Sequence, residues 1–310
     1  STEIQSMTPT QREKWIGYGL VVFTLSVWAS FILISRLAGK SVLTPWDTTA
    51  LRFGTATVVL LPYVLLKMDI RQFFHWRFVV VAMLGGVGYA MLAYVGFSLA
   101  PAAHGAIFLH GLLPFWTAFM GWMIVGEHMT RDRWLGLSCI ALGIGSMAVI
   151  ELQNPNTHFG WGDVMFAGAS ASWAAFAALL KRWQMPPIAA TVGVAIISAV
   201  LYLPIYGLFL PSGLAQASWP VIALQAGFQG ILVVIVAMIT FIEAARRLGA
   251  FTVGCFLALA PMLAASLAVP ILDEPLTLGL MLGLLGMVTG ALQPWKWMNF
   301  ASSPVAKSED

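Results

Sequence analysis

Two acids stand out by position. Glu127 and Glu274 each close an apolar run that a proline, Pro114 or Pro261, interrupts thirteen residues earlier. An acid at the end of an apolar helix is disfavoured by the helix macrodipole, so each calls for a basic partner or for free N–H groups of another helix. Arg131 and Arg133 are near Glu127 in sequence, and Arg52 is a partner on offer for Glu274. The other acids, Glu3, Glu13, Asp47, Asp69, Asp132, Glu151, Asp163, Glu243, Asp273, Glu309 and Asp310, also fall in tails, connectors or helix ends. None stands in the middle of an apolar run. That removes paired carboxylates for acid–base catalysis, and the mid-membrane carboxylate that proton or sodium coupling usually needs. There is no H-E-x-x-H or G-x-S-x-G, and two cysteines, Cys139 and Cys255, make no metal framework. No catalytic residue, metal or cofactor is expected.

The polar and aromatic side chains left at mid-depth are Trp28, Tyr89, His110, Trp173 and Gln229, with Gln225 one helical turn before Gln229. Together they suit an uncharged pocket with aromatic walls for an amphiphilic or zwitterionic solute. Each also has a plainer reading: aromatics as packing or interface belt, His110 as a helix-to-helix hydrogen bond, His104 as a solvated turn residue. Pro114 and Pro261 free backbone carbonyls or serve as hinges, or they are packing kinks. Arg52 either latches a gate with Asp47 or Glu274, or snorkels to the membrane surface. Without a second interior cation, phosphorylated sugars and nucleotide-sugars are poor substrates.

The elements that position these residues follow from composition. With 59% hydrophobic and 9% charged residues the chain has too little polar surface for a soluble globule of its length. Trp15–Ser35 carries no charge, and Trp183–Ile242 runs sixty residues without one. About 20 apolar residues cross a bilayer as a helix. Breakers and charges divide the chain into ten expected helices, roughly 15–37, 47–66, 78–100, 104–125, 133–150, 160–182, 187–209, 219–245, 250–271 and 276–297. With both termini cytoplasmic, thirteen Lys or Arg fall inside and two, Arg36 and Lys40, outside. Polar tails at 1–14 and 298–310 flank the helices. "GGVGYAM" looks like a nucleotide loop but lies within a span without a preceding strand, so it reads as packing.

An offset of 147 residues superposes Leu112 on Leu259, Pro114 on Pro261, Glu127 on Glu274, Gly136 on Gly283 and Gly143 on Gly290. An offset of 145 superposes Trp28 on Trp173, Phe31 on Phe176 and Arg36 on Lys181. The chain thus reads as two five-helix copies, 15–150 and 160–297, the second entering the membrane from the opposite face. Two inverted halves can exchange conformations around a central site.

"SVWASFILISR", "ALRFGTA", the two proline-to-acid stretches and "LGAFTVGCFLALAPMLAASLAVPILDEPLTLGLMLGLLGMVTG" resemble the EamA-type, ten-helix branch of the drug/metabolite transporter superfamily. The resemblance covers nearly the whole chain and implies a small-metabolite carrier, similar to the aromatic amino-acid exporters, in a bacterial inner membrane. The second copy has Asp273-Glu274 where the family pattern usually has Gly-Glu. The expected partners are a small solute and membrane lipid, not nucleic acid. The alternatives are an organic-cation or multidrug exporter, or another small-solute permease of the same fold. An intramembrane enzyme lacks its catalytic groups, and a channel lacks a ring of like charges or a filter.

Overall fold

The computed structural model describes residues 9–153, 159–248, 253, 256, 257 and 259–295. Among them there are helices and turns but no strand. Eight helices are long and apolar enough to cross a membrane: α1 (Pro9–Gly39), α2 (Pro45–Lys67), α3 (Trp76–Leu99), α4 (Ala102–Val125), α5 (Arg131–Leu152), α6 (Trp161–Arg182), α7 (Pro187–Phe209) and α8 (Trp219–Leu248). Two shorter apolar helices follow, α9 (Ala260–Leu272) and α10 (Leu278–Leu292). This is a multi-pass integral membrane protein. The first helix starts at Pro9, not at residue 15, so part of the expected polar tail is helical. Glu13 there pairs with Arg247 of α8 at 2.9 Å. The expected beginning of the ninth span, with Cys255, falls largely outside the described residues, as do Lys296, Lys307 and the C-terminal tail.

The helix contacts respect the repeat. α3 packs on α6 as α8 packs on α1, α4 on α6 as α9 on α1, and α2 on α8 as α7 on α3. α2 also meets its own counterpart α7, and α5 meets α10. The α5–α10 pair is a backbone-to-backbone contact. A Cβ on Gly143 would sit 2.7 Å from the Gly286 Cα, and one on Gly290 would sit 2.3 Å from the Gly136 carbonyl oxygen. In lipid, where burying apolar surface gains little, such close approach is what holds helices together.

Three spans are not regular α-helices. α3 carries a π-helical turn at Met83–Val87, within which Gly86 leaves helical geometry (φ −105°, ψ −110°). α4 carries one at Gly105–Gly111, and α8 is π-helical over Ala226–Val236. The "GGVGYAM" stretch is close packing, as expected, since a Cβ on Gly85 would sit 2.3 Å from the Phe176 ring and one on Gly86 2.1 Å from Ser198 Oγ, and it also holds a break in the membrane helix. Side chains satisfy the backbone there: Ser198 accepts from the Val87 N–H, and Ser172 donates to the Leu84 carbonyl at 2.6 Å. Such substitutes are required where no water reaches.

α4 and α9 are shaped alike. At the break in α4, Leu112 has φ −81°, ψ −14°, and Pro114 sits in the first turn of the helical segment that follows. Leu259, at φ −81°, ψ −15°, precedes Pro261 in the same way. Both helices end on a left-handed residue, Gly126 (φ +81°) and Asp273 (φ +55°). The next residue's N–H then reaches back, Glu127 to Gly121 and Glu274 to Ala268. Asp takes the place of Gly because a short polar side chain tolerates this backbone better than most others. Gly126→Val and Asp273→Val are expected to destabilise the protein by at least about 1–2 kcal/mol, whereas Asp273→Gly is tolerated or slightly stabilising. Thermal melts in detergent check this, and unchanged midpoints for the valine variants would remove the conformational requirement.

Candidate functional site

Two adjoining cavities open among the helices, of about 150 Å³ and about 430 Å³. They share Trp28, His110 and Leu113. The smaller is walled by Trp28 and Phe31 of α1 and by their repeat-matched counterparts Trp173 and Phe176 of α6. Trp28 stacks on Phe241 at 5.6 Å, and Trp173 packs against Tyr89 and Phe176, each at 5.0 Å. Gly85 of the α3 segment, Leu109 and His110 of the Gly105–Gly111 segment of α4, and Val233 and Val234 of α8 also reach this wall, while a second π-helical turn of α4, Gly121–Val125, does not. At those first three segments the break in regular helix and the cavity coincide. The larger cavity takes in both prolines, Pro114 and Pro261, and continues to Arg133 and Gln293. No acid lines either cavity among the described residues.

Trp28, Tyr89, His110, Trp173 and Arg52 thus share one cavity. Gln225 and Gln229 do not line it. Both are buried behind it in a directional chain of hydrogen bonds. Arg52 Nη1 donates to the Tyr94 hydroxyl (3.3 Å), which donates to Gln229 Oε1 (2.8 Å). Gln229 Nε2 donates to Ser35 Oγ and to Gln225 Oε1, and Gln225 Nε2 to the Ile34 carbonyl.

Two expectations for Arg52 are corrected here. It neither snorkels nor pairs with Asp47 or Glu274. Its residue is only 6% exposed, with the guanidinium 5.5 Å from the Phe53 ring and 6.0 Å from that of Tyr89. Asp47 is taken up elsewhere, by the Tyr206 and Ser212 hydroxyls and the Gly213 and Thr44 N–H groups. His104 is not solvated either: its Nδ1 lies 2.8 Å from Asp163 Oδ1, and both residues are buried. Asp163 also accepts from the Gly160 N–H at the start of α6, so this acid stays at a helix N-terminus, where it is favoured.

Glu274 pairs with Arg36, not Arg52, at 2.6 Å, and its other oxygen accepts from the Ala102 N–H that begins α4. Arg36 also donates to the Phe97 carbonyl, and Lys40 to the Leu272 carbonyl. At the other corner Glu127 pairs with Arg133, as its spacing suggests, and with Lys181. Lys181 is the repeat counterpart of Arg36. The helix α1 cation therefore clasps the α9 acid as the α6 cation clasps the α4 acid. The two offsets relate one clasp to the other, Arg36 to Lys181 and Glu274 to Glu127, but spacing alone named neither Arg36 nor Lys181 as the acid's partner. The hydrogen bonds from Lys181 and then Arg133 hold the Glu127 carboxyl below its ordinary 4.5. The two corners differ in access to water: the Arg36 and Glu274 side chains are 15% and 11% exposed, those of Lys181 and Glu127 65% and 24%.

One cavity residue had no strong sequence signal. Ser170, one turn before Trp173, is fully buried on the cavity wall with its hydroxyl unpaired. Glu243 pairs with Arg246 and Arg247 on its own helix, the i, i+3 and i, i+4 arrangement its spacing implies.

Comparison with known proteins gives the same outline. An uncharacterized transporter of Bacillus subtilis, YyaM, is 23% identical over 293 residues, covering 88% of this chain and 92% of its own. A solved crystal structure aligns with a TM-score of 0.58 at 21% identity, over 94% of this chain and 99% of that one, which shows a shared fold. The model of the EamA-like transporter family matches twice, at residues 15–149 and 160–293. With two such matches spanning nearly all of its helices, the chain belongs to the EamA-like transporter family.

Proposed function

We propose that this protein carries small metabolites, amino acids and aromatic ones among them, out of a bacterial cell across the inner membrane. The mechanism is alternating access between two inverted five-helix halves, 15–150 and 160–297, with both termini cytoplasmic. The observation that carries this reading is the cavity walled by repeat-matched Trp28 and Trp173, set between two repeat-matched clasps. Aromatic faces suit an amphiphilic solute, and symmetric halves can trade one closed end for the other. On the positive-inside assignment Glu274 lies at the outer end and Glu127 at the inner end. Both clasps are formed, the outer one shielded and the inner one wet, so the two ends differ in exposure rather than in pairing. An exporter of organic cations is the second reading that aromatic walls support. Arg52 in the same cavity weighs against it.

The absence of an acid on either cavity wall among the described residues favours facilitative transport or exchange. Purified protein in liposomes is expected to show saturable counterflow of an amino acid that follows the substrate gradient and survives imposed proton or sodium gradients of either sign. Strict dependence on such a gradient would redirect attention to His110 or Glu243, and catalytic turnover of the solute would end the carrier reading. Trp28→Ala and Trp173→Ala should each cut transport about two- to tenfold, the scale of one lost aromatic contact of about 0.5–1.5 kcal/mol, while leaving inserted, folded protein. Normal transport by both variants would place the substrate elsewhere.

Glu127→Gln and Glu274→Gln should shift the balance of open ends in opposite directions, read by labelling of cysteines engineered into the two vestibules. Because the Glu127 carboxyl is held below its ordinary 4.5, its clasp persists at neutral pH and is lost only as pH falls through that lowered value. Labelling at that end, taken relative to an exposed control cysteine at each pH because the reactive thiolate itself falls with pH, should therefore be flat from about pH 8 to pH 5. Shifts of the same sign in both variants would reduce the acids to caps.

A further inference from the structure

Arg52 is a cation in an apolar cavity that holds no acid. Its residue is buried, its Nε has no partner, and among the described residues its hydrogen-bonded neighbour is the neutral Tyr94 hydroxyl. The neighbouring rings of Phe53 and Tyr89 lie 5.5 Å and 6.0 Å from the guanidinium carbon. The chain behind it, through Tyr94, Gln229, Ser35, Gln225 and the Ile34 carbonyl, runs with every donor pointing away from Arg52. That chain fixes the guanidinium's position and contributes no negative charge. On the same wall Ser170 presents a buried hydroxyl with no partner. A guanidinium offers five N–H donors in a planar fork that matches a carboxylate.

We propose that Arg52 is the substrate-recognition residue and that it takes the carboxylate of an organic acid whose apolar part lies against Trp28 and Trp173. This deepens the carrier reading and rests on it. The proposal chooses the carboxylate-bearing class over organic cations: an ammonium alone would enter a cavity with a fixed cation and no acid to meet it. A single carboxylate is enough, since among the described residues the wall of this cavity carries one arginine.

The test uses matched probes that share one skeleton: 3-phenylpropionate with the acid only, 2-phenylethylamine with the amine only, and L-phenylalanine with both. An isobutyl series of the same three kinds, 4-methylpentanoate, isoamylamine and L-leucine, covers an aliphatic substrate. Sodium chloride and sodium phosphate serve as inorganic anions. Binding to purified wild-type protein in detergent is read from tryptophan fluorescence and from thermal stabilisation, neither of which requires transport. The expected result is binding by the carboxylates and amino acids of at least one series, and little by the amines. Arg52→Met should weaken carboxylate binding roughly ten- to hundredfold, the scale of a charge-assisted hydrogen bond, and erase the preference over the amine. Arg52→Lys should restore part of it, because it returns the charge without the fork.

If Arg52→Met fails to fold, the wild-type ranking and Arg52→Lys still decide. Amines binding as well as their matched acids would overturn the proposal, as would an unchanged acid preference in either variant. Chloride or phosphate stabilising as strongly as the carboxylates would also overturn it, leaving a free-anion site. No binding by any carboxylate up to millimolar concentration would do the same. These outcomes are separable from failure of the carrier reading. That failure would appear as absent counterflow in liposomes with the carboxylate preference intact, whereas loss of the preference with counterflow retained would sink the role of Arg52 alone.

Discussion

In a bilayer a backbone amide has no water to turn to, so every departure from regular helix must be supported by protein. That constraint organises this molecule. The breaks in α3, α4 and α8 occur where Ser198, Ser172 or a π-helical hydrogen-bond pattern satisfies the backbone. The breaks at Met83–Val87, Gly105–Gly111 and Ala226–Val236 also send residues to the cavity wall. A regular bundle of these helices would have packed shut. Irregular turns make the hole, and supporting hydroxyls make the turns tolerable.

The same economy explains the two corners. A left-handed residue ends the helix and turns the following acid back toward a cation on a helix of the other half. An acid at a helix end is mildly unfavourable by itself, by about 0.3–1 kcal/mol, and the cation more than offsets this where the pair is shielded from water. Duplication then supplies the second corner without new invention: Arg36 with Glu274, Lys181 with Glu127.

Eight long apolar helices, the twofold repetition, the aromatic walls and the prolines were legible, because each is written in residue type and spacing. Periodicity cannot show a π-helical turn, since one extra residue in a helical turn leaves an apolar run looking apolar. Nor could it direct Arg52. A lone basic residue near the start of a span has two ordinary fates, snorkelling or pairing, and the structure adopts neither because Tyr94, Phe53 and Tyr89 enclose it. Gln225 and Gln229 stand one turn apart, as their spacing implies, yet their amides serve a hydrogen-bond network away from the cavity wall. His104 was misread for a related reason. A short connector suggests water, but Asp163 and the rings of Phe108 and Phe159 close over it.

The asymmetry between the corners bears on how a substrate could move the protein. At the Glu274 end the clasp is nearly buried and reinforced by bonds to the Phe97 and Leu272 carbonyls and from the Ala102 N–H. Separating either pair forfeits its hydrogen bonds while the charges regain water, and an exposed pair contributes only about 0–1 kcal/mol, so the wet clasp at Glu127 is the easier of the two to break. A ligand shifts such a balance only through a difference in its affinity for the two states. The hydrogen-bonded row from Arg52 supplies a physical route for that difference. It ends on Ser35 and the Ile34 carbonyl, the two residues immediately before Arg36. A carboxylate drawing on the Arg52 guanidinium would compete with Tyr94 for it, and Tyr94 is one step from Gln229, which holds α1 beside the clasp. The residue proposed to recognise the substrate is thus joined, through hydrogen bonds, to the helix end that carries the Arg36–Glu274 pair.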